Sequence, residues 1–422
     1  MTSKNSRHEL YVWVWLPGEV DPVAAGRIYR TKQGSLYFNY GNSYLQNQKA
    51  ISLNPDELPL RKGSHRPVND MTMPSCLRDG SPDAWGRRVI IHRMMGSDAD
   101  TAELDELTYL IESGSDRIGA LDFQESPNTY VPRETDSALI AELLEASDRV
   151  QKGLPLTPEL DRALNHGTSI GGARPKALVQ DGKKKYVAKF SSTTDTQNVV
   201  KAEYVAMRLA ELAGINVAPV RMESAAGRDV LLVERFDRIP KDDQFQRKLM
   251  LSALTLFQLD EMYARYASYE ELTDLIRQKF HNPTQTLQEL YRRMVFNILC
   301  GNTDDHARNH AAFYDGNALE LTPAYDICPQ NRSTGIASQA MALIDGNNQS
   351  TLALCKKAAH KFNLTEVQAN ENIESLQETI RAHWDQACEE AKMTELEKKF
   401  FWKRQFLNPS IYEGGDHNEN PL

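Results

Sequence analysis

Several kinds of chemistry are missing from this chain. Its five cysteines (Cys76, Cys300, Cys328, Cys355, Cys388) are odd in number, scattered, and contain no C-x-x-C pair. Neither a disulfide framework nor a cysteine zinc site is expected. No apolar run approaches the ~18 residues of a membrane helix, and the first eight residues lack an apolar signal core. A cytoplasmic protein without a membrane partner is the expectation. Positive charge is scarce: 49 Lys and Arg against 58 Asp and Glu leave −9, which argues against nucleic-acid binding by the whole surface. There is no internal repeat, no Walker spacing and no H-E-x-x-H. The remainder is globular in balance, with 422 residues, 41% hydrophobic and 25% charged, enough for two or three domains.

The most informative stretch is Gly301-Asn302-Thr303-Asp304-Asp305-His306-Ala307-Arg308-Asn309. The protein-kinase catalytic loop, H-R-D-x-x-x-x-N, sets an Asp that accepts the substrate hydroxyl proton five positions before an Asn that holds Mg²⁺. Asp304 and Asn309 have that offset; Asp305 is one residue too close. A further carboxylate, Asp326, follows in Leu321-Thr322-Pro323-Ala324-Tyr325-Asp326. Between them the pattern predicts a hairpin, Ala311–Tyr314 and Ala318–Leu321 about a turn at Asp315-Gly316-Asn317. Such a hairpin brings Asn309 and Asp326 together as metal ligands. Asp and Asn also serve as ordinary turn and cap residues. His306 and His310 stand four apart, a spacing that also suits zinc, but no metalloprotease motif surrounds them.

Three upstream segments complete the set. His166 to Lys176 is rich in small residues, so Gly171, Gly172, Ala173, Arg174, Pro175 and Lys176 form a candidate phosphate cradle or a plain flexible turn. Lys189, in the apolar Tyr186-Val187-Ala188-Lys189-Phe190, is costly to bury without an anion and matches the phosphate-holding lysine of V-A-I-K. Glu203 is its natural partner; the alternative is a solvated lysine on an edge strand. Val230–Val233 runs into Glu234-Arg235-Phe236-Asp237, where backbone groups of Glu234 and Phe236 would read an adenine edge and Asp237 a ribose.

For the rest of the chain, residues 9–48 read as a meander of short aromatic strands, and Ser81 as an N-cap with Pro82 in the first turn. Helices are expected near 103–114, 136–150 and 197–213, the last ending at Gly214. Strands are expected at Lys176–Gln180, Lys185–Phe190, Val217–Met222 and Val230–Arg235, with mainly helical chain from 247 to 300 and from 350 to 406. The domain scheme is 1–150, 151–238, 239–407 and a frayed tail at 408–422. The fold class is α+β: a two-lobed, protein-kinase-like fold with a mixed β-rich N-terminal lobe, a mainly helical C-terminal lobe, and ATP in a cleft between them.

Taken as an ordered set, S-x-x-G-A-x-x-K, the strand lysine, E-R-F-D, T-D-x-H-x-x-N and Y-D resemble the HipA family of serine/threonine kinases, the toxins of bacterial toxin–antitoxin pairs. The resemblance spans most of the chain. It implies ATP and Mg²⁺ as cofactors, Gly171 to Lys176 as phosphate loop, and Lys189 as phosphate ligand. It further implies Glu234, Arg235 and Phe236 at the adenine, Asp304 as base, His306, Ala307, Arg308 and Asn309 at the nucleotide, and Tyr325-Asp326 at the metal. Ser169 falls where the family is autophosphorylated, with Thr168 a rival; the added charge there would eject the loop. The loop departs from the family pattern in reading Gly-Gly-Ala-Arg-Pro-Lys. Implied partners are a small helix-turn-helix, HipB-like antitoxin, DNA only through that antitoxin, and a protein substrate such as an aminoacyl-tRNA synthetase. Two other readings of the same motifs are a small-molecule kinase and a catalytically weak nucleotide-binding scaffold.

Overall fold

The computed structural model describes residues 7–95, 104–133, 140–157, 159–160, 174–191, 197–332 and 335–413. These form two compact units: 1–192 with 223–251 and 313–317, and 193–222 with 252–312 and 318–422. Strands and helices are mixed throughout, the expected α+β class. No helix among the described residues is long and apolar enough to cross a membrane.

In the first unit, the aromatic N-terminal segment forms a five-stranded antiparallel sheet in the order Ser64–His65, Leu36–Tyr40, Pro22–Arg30, Glu9–Trp15, Leu121–Gln124. Period-2 alternation sends Leu10, Val12, Val14, Ile28 and Phe38 inward, each fully buried. Ser81 is not the cap it was expected to be. The helix Ala84–Met95 starts three residues later, and the Ser81 hydroxyl instead donates to Glu106, which also holds Arg87. A carboxylate and guanidinium nearby outcompete the backbone amide for that short side chain.

A second sheet in this unit places Lys184–Phe190 between Lys176–Asp181 and Arg228–Glu234. The turn falls at Gly182, φ +58°, as the sequence implied. Tyr186, Ala188 and Phe190 pack on Leu143 and Leu144 of the helix Ile140–Gln151. Lys185, Val187 and Lys189 therefore occupy the opposite face.

The second unit is mainly helical. Val199–Leu212 is capped by the Asn198 side chain and ends at Gly214, φ +76°. The long helix Glu366–Glu390 starts in a capping box of Thr365 and Gln368. The two are fastened by Arg208 to Glu390 at 2.8 Å, Tyr204 to Glu390 at 3.2 Å, and Lys201 Nζ to the Lys392 carbonyl at 2.8 Å. Tyr269–Lys279 is capped by the Ser268 side chain, and the 18-residue Pro283–Cys300 opens on a proline and buries Leu287, Leu290, Met294 and Ile298. The stretch from 247 is less helical than expected, since the strand Met250–Ser252 precedes the first helical turn at Ala253. The first residues of the expected tail, Pro409–Tyr412, form a 3-10 turn with Ile411 fully buried.

Candidate active site

Pro283–Cys300 delivers the chain to its most informative loop through Gly301, which takes a left-handed φ of +74°. A Cβ at Gly301 would lie 2.8 Å from the Gln405 carbonyl oxygen, so only glycine fits both the angle and the approach. The loop then folds on itself. The Asp304 carbonyl accepts from the His306 N–H at 2.9 Å and from Asn309 Nδ2 at 3.1 Å, while the Asn309 N–H reaches the His306 carbonyl at 2.8 Å. Five-residue spacing thus becomes a closed turn, with the Asn309 amide nitrogen spent on the backbone and its Oδ1 as the donor left for a cation.

The two adjacent aspartates point to opposite environments. Asp304 is exposed, whereas Asp305 is 1% exposed. Asp305 accepts from the Tyr269 hydroxyl and from His310 Nε2, the latter at 2.9 Å. His310 is therefore committed to Asp305, and His306 to the loop interior, where its Nδ1 is buried without a hydrogen bond. Among the described residues no cluster of three or more His, Cys, Asp or Glu is arranged to hold a metal.

The hairpin is present as Ala311–Tyr314 and Leu319–Leu321, closed by the Thr322 N–H to the Ala311 carbonyl at 3.0 Å. It returns the chain to the loop: the Tyr325 hydroxyl donates to the Arg308 carbonyl at 2.6 Å. Asp326 follows with φ +59°, a left-handed conformation that Asp tolerates better than most residues. Its charge reaches Asp304. Partial loss of water raises the Asp304 pKa first, and the Asp326 and Asp305 carboxylates raise it further against the opposing effect of His306. Arg308 is ion-paired with Glu261, and the Ala307 carbonyl accepts from the Leu254 N–H at 3.2 Å. Asp304, His306, Asn309, Tyr325 and Asp326 are therefore brought together.

In the first unit, Lys189 is half-buried and sits opposite Lys176 and Leu231 in the ladder. Lys176 is 5% exposed, and its carbonyl accepts from Trp85 Nε1 at 3.1 Å; Pro175 is buried and Arg174 exposed. Ser169, Thr168, Gly171, Gly172 and Ala173 lie outside the described residues. Glu234 pairs with Lys184 at 2.7 Å, and Phe236 meets Phe313 edge-on at 5.9 Å.

Asp237 corrects the sequence reading. It is 2% exposed, with its carboxylate bonded to Arg235, Arg238 and the Gly119 N–H at 2.7–3.0 Å, so no oxygen is presented to a ribose. Arg235 is equally buried and joins Asp237 to Asp116, which also takes Arg238 and Lys185. Carbonyls of Ser115, Asp116, Arg117 and Gly119 absorb the surplus positive charge. The side chains of Arg235 and Asp237 are engaged in this buried network. Their motif marks a junction with residues 115–119, a role the local sequence did not signal because its partners lie more than 110 positions away.

A family model described as the HipA-like C-terminal domain matches residues 168–384, and one described as the HipA N-terminal domain matches residues 14–124. A putative kinase, Y4mE, of Sinorhizobium fredii is 26% identical over 345 residues, covering 74% of this chain and 76% of the relative. The serine/threonine-protein kinase toxin HipA of Shewanella oneidensis is 28% identical over 203 residues, 42% of this chain and 46% of that protein. Among solved structures, the Shewanella oneidensis HipA, HipB and operator DNA complex matches with a TM-score of 0.70 at 20% identity, covering 95% of this chain and 99% of that one. At that identity the likeness is one of fold.

Proposed function

Because the chain belongs to the HipA family, we propose that it is a serine/threonine-protein kinase that transfers the γ-phosphoryl group of ATP to a protein hydroxyl. The observation that carries this is the closed Asp304–Asn309 turn with Asp326 returned to its edge by the hairpin.

The residues suit a magnesium nucleotide. Asp304 and Asp326 repel one another, and Asn309 contributes an amide oxygen. Mg²⁺ is commonly held by one or two carboxylates together with waters and phosphate oxygens, so a dedicated cluster of three acids is not required. Bound there, Mg²⁺ would neutralise charge developing on the phosphates. The unpaired, buried Nδ1 of His306 offers one further polar contact to the nucleotide.

In the proposed mechanism Asp304 accepts the hydrogen bond of the acceptor hydroxyl, orients it for in-line attack and takes its proton. Asn309 and Asp326 would hold the metal. Lys189 and the 171–176 segment meet the phosphates, and the chain at Glu234 to Phe236 meets the adenine. Ser169 is the proposed autophosphorylation position. A small helix-turn-helix antitoxin is the proposed partner, with DNA reached through it, as HipB and operator DNA accompany the Shewanella protein. An aminoacyl-tRNA synthetase is the first acceptor to try.

The test is incubation of the purified protein with labelled ATP and Mg²⁺, followed by peptide mapping. Label at Ser169 is expected, with Thr168 the neighbouring alternative that mapping resolves. Asp304→Asn is expected to lower the rate by about 10²–10⁴-fold while Mg·ATP still binds. Absence of both labelling and ATP turnover in the parent protein would refute the kinase reading.

A further inference from the structure

The loop that carries Asp304 spends its second carboxylate in the interior. Asp305, Tyr269 and His310 are 1%, 0% and 4% exposed, and come from the loop, the first residue of the helix Tyr269–Lys279 and the lead into the hairpin. Asp305 Oδ2 accepts the Tyr269 hydroxyl, Oδ1 lies 2.9 Å from His310 Nε2, and the Tyr269 oxygen is 3.3 Å from that same nitrogen. The two rings meet edge to face at 5.3 Å.

His310 Nδ1 is buried and has no hydrogen bond. An unpaired N–H is the worse group to bury, so the proton belongs on Nε2, donated to Asp305. Backbone bonds secure Tyr269, His310 and the loop two residues before Asp305: Ala253 N–H to the His310 carbonyl at 2.7 Å, Tyr269 N–H to the Ala342 carbonyl at 2.8 Å, and Ala340 N–H to the Thr303 carbonyl at 3.0 Å.

A buried carboxylate is a poor way to gain stability, since apolar packing of equal volume does as well. It is a good way to fix one loop register, because only one placement satisfies all its oxygens. We propose that Tyr269, Asp305 and His310 are positioning residues for the phosphoryl transfer. With Asp305 anchored inward, the neighbouring Asp304 carboxylate is held outward toward the acceptor hydroxyl. This deepens the kinase reading and rests on it.

The test uses the full chain with Tyr269→Phe, His310→Asn, Asp305→Asn and the Tyr269→Phe/His310→Asn double variant. Autophosphorylation rate at saturating Mg·ATP, Mg·ATP affinity by calorimetry and thermal unfolding are measured together. The expected result is a rate loss of about 10–100-fold for Asp305→Asn with nucleotide affinity within about threefold of the parent. The double variant should be no slower than Asp305→Asn, because both donors act through one carboxylate.

Rates within about twofold of the parent in folded variants would overturn the proposal. So would nucleotide affinity falling by the same factor as the rate, which is general loosening. If Asp305→Asn does not fold, Tyr269→Phe carries the test, since it keeps the ring and removes only the hydroxyl. Asp304→Asn in the same assay separates the two ideas. No phosphorylation by the parent protein removes the kinase reading, activity surviving Asp304→Asn removes Asp304 as the base, and an essential Asp304 beside a silent Asp305 removes only the triad.

Discussion

Asp304 shows how a single residue's surroundings set its chemistry. Desolvation raises its pKa, and the Asp326 and Asp305 charges raise it further against His306. A group that must accept a proton works only when ionised, so activity should fall on the acid side at a pH above the ordinary aspartate value of about 4. Replacing Asp326 with Asn removes a repelling negative charge, so in the metal-free protein ionisation of Asp304 becomes easier and its pKa should fall. An NMR titration of the Asp304 carboxyl in both proteins without Mg·ATP checks the direction. The same logic bears on stability. A folded-state pKa raised above the unfolded value makes ionised Asp304 a burden at neutral pH, so Asp304→Asn should unfold at a higher temperature than the parent. At this scale the sequence was informative for Asp304 and Asn309, whose spacing is local. It was uninformative for Asp305, which looked merely off-register until Tyr269 and His310 were seen to enclose it.

Among the elements, the turn from Pro283–Cys300 into the loop rests on one glycine. Gly301→Ala meets both a left-handed backbone angle and a carbonyl 2.8 Å from the new methyl. The angle alone costs about 1–2 kcal/mol, and the clash must move residues near 405 as well. Denaturant unfolding should show a loss of about 2 kcal/mol or more, with autophosphorylation reduced because the loop starts from the wrong place. Elements with local signals were legible: the hairpin about Gly316, the helix ending at Gly214 and the turn at Gly182 all occur where glycine, period and caps agree. The Ser81 cap failed because Glu106, 25 positions away, competes for its hydroxyl. The strand Met250–Ser252 was missed because three residues carry too little period to distinguish a strand from the start of a helix.

In the molecule as a whole, the first unit is held by charges drawn from distant parts of the sequence. Burial pushes the Asp116 and Asp237 pKa values up, but Arg235 and Arg238, joined by Lys185 at Asp116, outweigh it and hold both below the usual range, Asp116 well below. Their contribution to stability is therefore present above the unfolded value near pH ~3.9 and is lost as pH falls below it through the folded values. An acid titration followed by circular dichroism should show Asp116→Asn already destabilised at neutral pH, by about 3–5 kcal/mol, and less steeply dependent on pH below ~4 than the parent. Nothing near Asp116 in the sequence announces this, because the cations lie 69 to 122 positions away. The fold class was read correctly from ordered motifs, but the cement of the first unit was not.

Gly301 rests against the Gln405 backbone, and the Leu407 N–H donates to the Leu299 carbonyl at 2.7 Å. The entrance to the loop is thus braced by residues about a hundred positions later. Chains emerge from the ribosome N-terminus first, so during translation the brace follows the loop it supports by about a hundred residues. A nascent chain would carry every proposed catalytic side chain and still lack the support that sets their geometry, leaving the enzyme idle until residues 405–407 have emerged.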